Sequence, residues 1–278
     1  MPSPKPDKHA AGRLIEPALA DDAFLADVAG ADDRALHIWW LGQSGFLLRW
    51  QGRHLLLDPY LSDSLTRKYA GTDRPHVRMT RRVVAPERLG FVDVVASTHN
   101  HTDHLDRETL LPILEAGAAL VCPAANRVFA AERLGTDPQI CLATGESAEL
   151  AGFELEAVPA AHPEPAPEYA GYVVRCGGWR VYHSGDSLVY DGMAERLRPH
   201  AVDLALLPIN GKVANMSGPE AARLAHAIGA RLVVPCHYEM FEFNTASPAP
   251  FAAECDRLGQ AYEVPRAGQR LTLAEPSA

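Results

Sequence analysis

THNHTDHLD, residues 98–106, is the stretch that decides how this chain folds and what it can bind. It places the imidazoles of His99, His101 and His104 and the carboxylates of Asp103 and Asp106 within eight positions, directly after an apolar run. Imidazole and carboxylate groups suit zinc, iron and manganese, and a catalytic centre needs several of them around an open position. The stretch therefore predicts a metal site with room for a substrate.

The order His-x-His-x-Asp-His also resembles the ligand signature of the metallo-β-lactamase superfamily of metal-dependent hydrolases. In that superfamily three further ligands follow in chain order, each at the end of a strand. The sequence provides the right residue types in that order, namely His162, Asp186 within a Gly-Asp pair, and His237. Taken singly, a histidine at a strand end is usually a surface residue and an aspartate after glycine a turn former. As an ordered set they favour the metal site.

The resemblance implies two divalent cations, with zinc as the expected metal and manganese as the alternative. It assigns His99, His101 and His162 to a first cation. It assigns Asp103, His104 and His237 to a second cation, and Asp186 would bridge the two. Asp103 has a second expected role in catalysis, because it would orient the attacking hydroxide or accept its proton. Two such cations lie roughly 3.5–4 Å apart and can clamp a substrate oxygen.

Four motifs look like the L-ascorbate-6-phosphate lactonase branch of the superfamily: Trp39–Phe46, Ala96–His99, Tyr182–Ser187 and Val233–Tyr238. The resemblance implies an α/β fold, a four-layer αββα sandwich in which loops at one edge of two face-to-face sheets carry the ligands. It also implies that Asp58 supports the histidine loop as a hydrogen-bond acceptor. The alternative for Asp58 is an ordinary turn aspartate before proline.

The chain reads as a short leader followed by one large domain. Residues 1–34 begin Pro-rich and polar and end in a short helix that Asp21 and Asp22 could cap, and residues 35–278 form the hydrolase-like domain. The hydrophobic pattern predicts strands at 37–41, 45–50, 54–58 and 91–97. It predicts helices at 107–116 and 124–134. Ser217 and Glu220 form a capping-box pattern that predicts the start of a further helix.

The composition limits which binding partners and which cellular compartment we expect. The net charge of −9 argues against nucleic acid, because nucleic-acid binders present a basic face to phosphates. The five cysteines form no Cys-x-x-Cys pair and most adjoin apolar residues, which predicts reduced core thiols. No apolar run has the length of a signal peptide or of a membrane span, so we expect a cytoplasmic protein without membrane insertion. The broad sheet edges of such sandwiches are compatible with a homo-oligomer.

The segment from Tyr60 to Leu89 is the predicted substrate-selecting part of the chain. It is irregular in pattern and rich in cationic residues, of which Arg78, Arg81 and Arg82 are the predicted substrate ligands. Guanidinium groups bind phosphate or carboxylate in a bidentate manner, so a lid of this kind would favour an anionic substrate. The alternatives are a solvated surface loop and a subunit contact.

Four further residues are predicted to reach the substrate because they lie next to strand ends or ligands. Asn210 and Lys212 follow an apolar strand on the expected ligand edge, His183 lies three residues before Asp186, and Tyr238 directly follows His237. For the first pair the alternative is a polar connection into the next helix. For His183 and Tyr238 it is a packing role.

The sequence thus predicts a lactonase-like, metal-dependent hydrolase that acts on a small anionic or phosphorylated metabolite. A phosphodiesterase, including the N-acylphosphatidylethanolamine phospholipase type, has the same ligand pattern and is the alternative. A non-catalytic sensor or scaffold is a third reading, but degenerate members of the superfamily usually lose ligands, and all seven are present here.

Overall fold

Two mixed β-sheets form the centre of the computed structural model, which describes residues 14–274. The N-terminal half supplies six strands: β1 (Leu36–Gly42), β2 (Gly45–Trp50), β3 (Arg53–Leu57), β4 (Val94–Ala96), β5 (Ala119–Pro123) and β6 (Ile140–Leu142). The C-terminal half supplies seven: β7 (Ser147–Leu150), β8 (Phe153–Ala161), β9 (Pro165–Cys176), β10 (Trp179–His183), β11 (Leu204–Pro208), β12 (Leu232–Cys236) and β13 (Arg270–Leu273).

The strand orders are β13-β1-β2-β3-β4-β5-β6 in the first sheet and β12-β11-β10-β9-β8-β7 in the second. In each sheet one part is antiparallel and the rest is parallel: β3 to β6 run parallel, and so do β10 to β12. The predicted strands at 37–41, 45–50 and 54–58 are confirmed as β1, β2 and β3, which pair antiparallel. The last strand, β13, returns to the first sheet and pairs antiparallel with β1.

Seven α-helices accompany the strands in the described part of the chain: α1 (Asp21–Ala29), α2 (Ser64–Lys68), α3 (Arg107–Glu115), α4 (Arg127–Leu134), α5 (Met193–Leu197), α6 (Gly218–Ile228) and α7 (Ala249–Leu258). The predicted helices at 107–116 and 124–134 are confirmed as α3 and α4, although Ala124–Asn126 is a 3₁₀ turn. The predicted capping box opens α6. None of these helices is long and apolar enough to cross a lipid bilayer.

Strands from both sheets share one core, as the predicted αββα sandwich requires. All seven residues of β1 are buried, and Leu56 of the first sheet and Val174 of the second belong to the same hydrophobic cluster. Strands covered on both faces read as continuous apolar runs, which explains the stretches of Leu and Val in the sequence. The five cysteines are free thiols, four of them buried and Cys141 half-buried.

Two local predictions need correction. Residues 1–13 of the predicted leader lie outside the described residues, and α1 is capped by Ala20 instead of Asp21 or Asp22, which lie in its first turn. There the carboxylates still interact favourably with the helix dipole. After His162 the chain re-enters the second sheet almost at once, because β9 begins at Pro165 and pairs with the end of β8. The predicted strand 91–97 is shorter, limited to β4.

Candidate metal centre

The predicted ligands follow strands whose ends meet at one edge of the sandwich. Asp58 follows β3, and His162 directly follows β8. The histidine loop, residues 98–104, begins two residues after β4. Asp186 comes three residues after β10, and His237 directly follows β12. Parallel strands of one sheet end at the same edge, which places Asp58 near the histidine loop in the first sheet and His162, Asp186 and His237 near one another in the second. The packing of the two sheets then brings both sets together.

The structure brings the seven predicted ligands into two groups. Within each group one ligand atom per residue lies within 4.8 Å of the others. We call them the three-histidine group and the mixed group, and their members are His99, His101 and His162, and Asp103, His104, Asp186 and His237. The two groups are adjacent, because the ring centroids of His99 and His104 are 4.0 Å apart.

Asp186, the predicted bridge, contacts two other members of the mixed group. Its Oδ1 is 3.3 Å from His104 Nε2, and its Oδ2 is 3.3 Å from His237 Nε2. The Gly-Asp pair that identifies Asp186 has a steric reason. Gly185 has φ +58°, and a Cβ at this position would lie 2.6 Å from Thr98 Oγ1. Glycine therefore allows the two ligand-bearing loops to approach each other.

Unpaired buried atoms in the site test whether these residues fit a metal ion. His99 Nε2 is buried and has no hydrogen-bond partner. His104 Nε2 and Asp186 Oδ1 are also buried, and although they lie 3.3 Å apart they make no hydrogen bond of good geometry. A buried polar atom without a partner costs about 1–3 kcal/mol, so such atoms rarely converge without a reason. Divalent cations held by the two groups would satisfy all three atoms, and imidazole nitrogen with carboxylate oxygen is a donor set that suits zinc and manganese. The residues therefore fit the metal ions that the sequence predicts.

The pKa values of the site histidines fall into two kinds. Burial holds the pKa of His99 well below its usual value and lowers that of His101, which keeps both imidazoles neutral and available as ligands. Burial also opposes the charged form of His104, but the carboxylates around it, Asp186 first, outweigh burial and raise its pKa well above the usual value.

Asp58 lies beneath the histidine loop, fully buried, and accepts hydrogen bonds from it. Its Oδ1 accepts from the Thr98 backbone N–H at 2.7 Å, and its Oδ2 accepts from Thr98 Oγ1 at 2.6 Å. The same Oδ2 lies 2.8 Å from His104 Nδ1 and 2.9 Å from His183 Nε2. Burial favours the neutral acid, but His104 and His183 outweigh it and hold the pKa of Asp58 below its usual range. Asp58 thus fixes the orientation of His104.

His183 was predicted near the substrate, and the structure places it elsewhere. Its side chain is fully buried, contacts Asp58 and packs edge-on against Phe46. The strand β10 ends at His183, so its side chain points into the sandwich while Asp186 reaches the edge.

Two residues that the sequence analysis did not single out hold ligands in place. The Gln43 amide Nε2 donates to Asp103 Oδ2 at 2.8 Å and lies 2.9 Å from His237 Nε2. His162 Nδ1 lies 3.0 Å from the Ala214 carbonyl oxygen, which leaves Nε2 for the metal site. Gln43 was visible only as part of the motif Trp39–Phe46, and Ala214 carried no signal at all.

A cavity of about 430 Å³ opens above the two ligand groups. His101, Asp103, His162, Asp186 and His237 are at its floor. Its walls come from the predicted substrate-selecting segment, from α4 and from the loops after β11 and β12, and they include Leu65, Lys68, Tyr69, Arg74, His76, Phe129, Arg133, Val213, Phe241 and Phe243.

None of the three predicted arginines lines this cavity, because each guanidinium group has partners elsewhere. Arg78 donates to Asp63 Oδ1 at 2.7 Å and also to the Ser62 carbonyl. Arg81 pairs with Glu16 and Asp21. The Arg82 guanidinium donates to the Leu61 carbonyl at 3.3 Å.

The other three predicted substrate residues also lie off the cavity. Asn210 is buried and donates to Asn244 Oδ1 at 2.8 Å, so Asn244 lies between it and the cavity. The Lys212 ammonium group donates to the Phe243 carbonyl at 3.3 Å. Tyr238 is buried with its ring stacked on Trp40, at a centroid distance of 4.3 Å.

Comparison with known proteins agrees with this site. Residues 37–237 match the beta-lactamase superfamily domain. A UPF0173 metal-dependent hydrolase of Caldivirga maquilingensis is 30% identical over 216 residues, which cover 77% of this chain and 87% of that protein. This chain therefore belongs to the UPF0173 metal-dependent hydrolase family of the beta-lactamase superfamily.

Solved structures with lower sequence identity share the fold. Igni18, a metallo hydrolase from Ignicoccus hospitalis, has a TM-score of 0.68 at 23% identity, over 87% of this chain and 100% of that one. A possible metal-dependent hydrolase from Veillonella parvula has a TM-score of 0.71 at 17% identity, over 86% of this chain and 100% of that one. The sandwich architecture is thereby confirmed.

Proposed function

We propose that this chain is a metal-dependent hydrolase of lactonase type, which opens the ring of a small anionic or phosphorylated metabolite. The observation that carries the proposal is the pair of adjacent ligand groups at the floor of an open cavity. The name of the related proteins, metal-dependent hydrolase, supports the same class of reaction. We also expect a small-molecule partner, because a net charge of −9 disfavours nucleic acid.

The residues of the site have separable roles in such a reaction. Bound divalent cations would supply an activated water and polarise the substrate oxygen. The three-histidine group would hold one cation and the mixed group the other. Asp103 is positioned to accept a proton, because its side chain is 17% exposed and borders the cavity. The hydrogen bond from Gln43 keeps one oxygen of Asp103 occupied, so the carboxylate is held in one orientation.

The test is hydrolysis by protein reconstituted separately with zinc and with manganese. L-ascorbate 6-phosphate, other sugar lactones and a simple phosphodiester are compared as substrates. Ring opening that depends on the added metal would support lactonase chemistry and identify the working cation. Turnover of the phosphodiester alone would replace the lactonase proposal, and no turnover with bound metal would favour a sensor.

Two histidine variants make this assay specific. His101→Ala removes an exposed member of the three-histidine group, and we expect it to lose bound metal and activity. His226→Ala is the matched control, because His226 lies exposed in the last turn of α6. Equal activity in the two variants would overturn the ligand assignment.

A further inference from the structure

One wall of the cavity is built from stacked rings. The rings of Tyr69 and His76 are stacked with centroids 4.2 Å apart and an interplanar angle of 18°. His76 also contacts Phe243, at a centroid distance of 4.4 Å, and Phe241, at 5.0 Å. We call these four residues the aromatic wall. All four line the cavity, and every one except Phe241 is only half-buried.

The aromatic wall does not belong to the main core. It packs on a second, separate hydrophobic cluster that includes Tyr60, Leu65 and Met240. This cluster joins the segment after β3 to the segment after β12. It therefore lies apart from the main core and builds one wall of the cavity.

Apolar side chains are also exposed elsewhere on the cavity wall. Phe129 of α4 is 38% exposed and Val213 is 56% exposed, and both line the cavity. Val213 has φ +49°, a backbone conformation that β-branched residues rarely adopt. Single exposed apolar residues are ordinary on a protein surface. Here Phe129 and Val213 line the same cavity as the aromatic wall. An apolar ligand group would therefore be enclosed between these two side chains and the aromatic wall.

Three cationic side chains line the cavity. The guanidinium group of Arg133 already donates to the Asn100 and Leu105 carbonyls, whereas Lys68 and Arg74 are exposed. Among residues 14–274 neither has a carboxylate within ion-pair distance, whereas Arg78 and Arg81 nearby are both paired. The Lys68 ammonium group lies 5.1 Å from the Tyr69 ring centroid, so the positive charge adjoins the aromatic wall.

We propose that the site takes an ester or lactone with two further groups: an aromatic or branched aliphatic body, and a separate carboxylate. The body would pack between the aromatic wall and the side chains of Phe129 and Val213, the carboxylate would face Lys68 and Arg74, and the scissile carbonyl would face the ligand groups. This inference rests on the proposed hydrolase function and narrows its substrate. A compact polar sugar lactone would leave the apolar walls exposed to water.

The kinetic test compares two esters of similar intrinsic reactivity, monobenzyl succinate and monomethyl succinate, on the zinc-loaded protein. We expect kcat/KM to be at least about tenfold higher for the benzyl ester, since apolar pocket contacts discriminate by roughly 10–200-fold. In Phe243→Ala the ratio of kcat/KM between the two esters should fall to within about threefold, because the variant lacks an apolar contact with the benzyl group. Equal kcat/KM for the two esters in the unsubstituted protein would overturn the proposal.

Matched variants separate the apolar and the ionic parts. Val189→Ala is the control for the apolar part, because Val189 is 45% exposed and does not line the cavity. It should keep the full benzyl preference, whereas Phe129→Ser and Val213→Ser, which change exposed positions, should reduce it. Lys68→Gln with Arg74→Gln should raise KM for both succinate esters and leave KM for neutral benzyl acetate unchanged. An equal rise for benzyl acetate would remove the carboxylate from the proposal.

A binding measurement keeps this inference distinct from the proposed function. Calorimetry compares 3-phenylpropionate with propionate on the zinc-loaded protein and on Phe243→Ala. Tighter binding of the phenyl compound, lost in the variant, would support the apolar pocket even if no ester is hydrolysed, in which case only the proposed function fails. Equal affinity for the two acids would overturn the inference even if hydrolysis occurs.

Discussion

Asp58 shows how one buried side chain can control a site that it does not enter. It receives three contacts from Thr98 and His104 and one from His183. We expect Asp58→Asn to weaken the binding of the cation at the mixed group by about 10–100-fold, the usual effect of losing such a partner. Calorimetric titration with zinc measures it. Asp137→Asn, at an exposed position, is the control, and unchanged affinity in Asp58→Asn would contradict the assignment.

Gln43 permits a second experiment at the same scale. It holds Asp103 and lies beside His237, so Gln43→Leu would free Asp103 to rotate. We expect affinity at the mixed group to fall by about tenfold, with the three-histidine group unaffected. A two-site titration followed by metal analysis distinguishes the groups. Gln51→Leu is a close control, because Gln51 also has positive φ but is exposed. Equal loss at both groups would contradict this role.

At the scale of elements, β3 contains a histidine that makes stability depend on pH. Burial lowers the pKa of His54 from 6.5 to about 4, and the nearby carboxylate of Asp93 only partly offsets this. The unfolded chain therefore binds a proton between these pH values that the folded chain does not. The neutral histidine contributes stability that is fully present above pH 6.5 and is lost as the pH falls towards 4.

Between pH 7 and pH 4 we expect the free energy of unfolding to fall less in His54→Gln than in the unsubstituted protein. The difference should be up to about 3 kcal/mol, because burial lowers the pKa of His54 from 6.5 to about 4. Urea unfolding at several pH values measures it. His226→Gln, at an exposed position of α6, should keep the original pH dependence. Identical pH dependence in His54→Gln would show that another group is responsible.

The elements also show which predictions the sequence could support. The ligands and strands were predictable because each ligand adjoins the strand that carries it, as His237 follows β12. The substrate residues were not, because their environment depends on distant parts of the chain. In the sequence nothing near Arg81 indicates a partner for its guanidinium group, but in the fold Glu16 pairs with it. The aromatic wall joins Tyr69 and His76 to Phe241 and Phe243, which no local pattern relates.

For the whole molecule, the metal centre joins the two sheets. His99 and His104 follow a strand of the first sheet, whereas His162 and His237 follow strands of the second. Bound cations should therefore stabilise the sandwich as a unit. At one hundred times the dissociation constant the gain is about 2.7 kcal/mol, or roughly 5–10 °C in Tm for a chain of this size. Calorimetry with zinc and after chelation measures it, and an unchanged Tm would contradict a shared site.

The pairing of β13 with β1 has a consequence for the synthesis of this protein. On the ribosome β1 emerges early, with its two tryptophans, whereas its neighbour β13 emerges after every other described strand. Until then the edge of β1 is a row of unpaired backbone groups that another nascent chain could join. The nascent protein thus exposes this unpaired edge until its last described strand is released, and pairing with β13 then removes it.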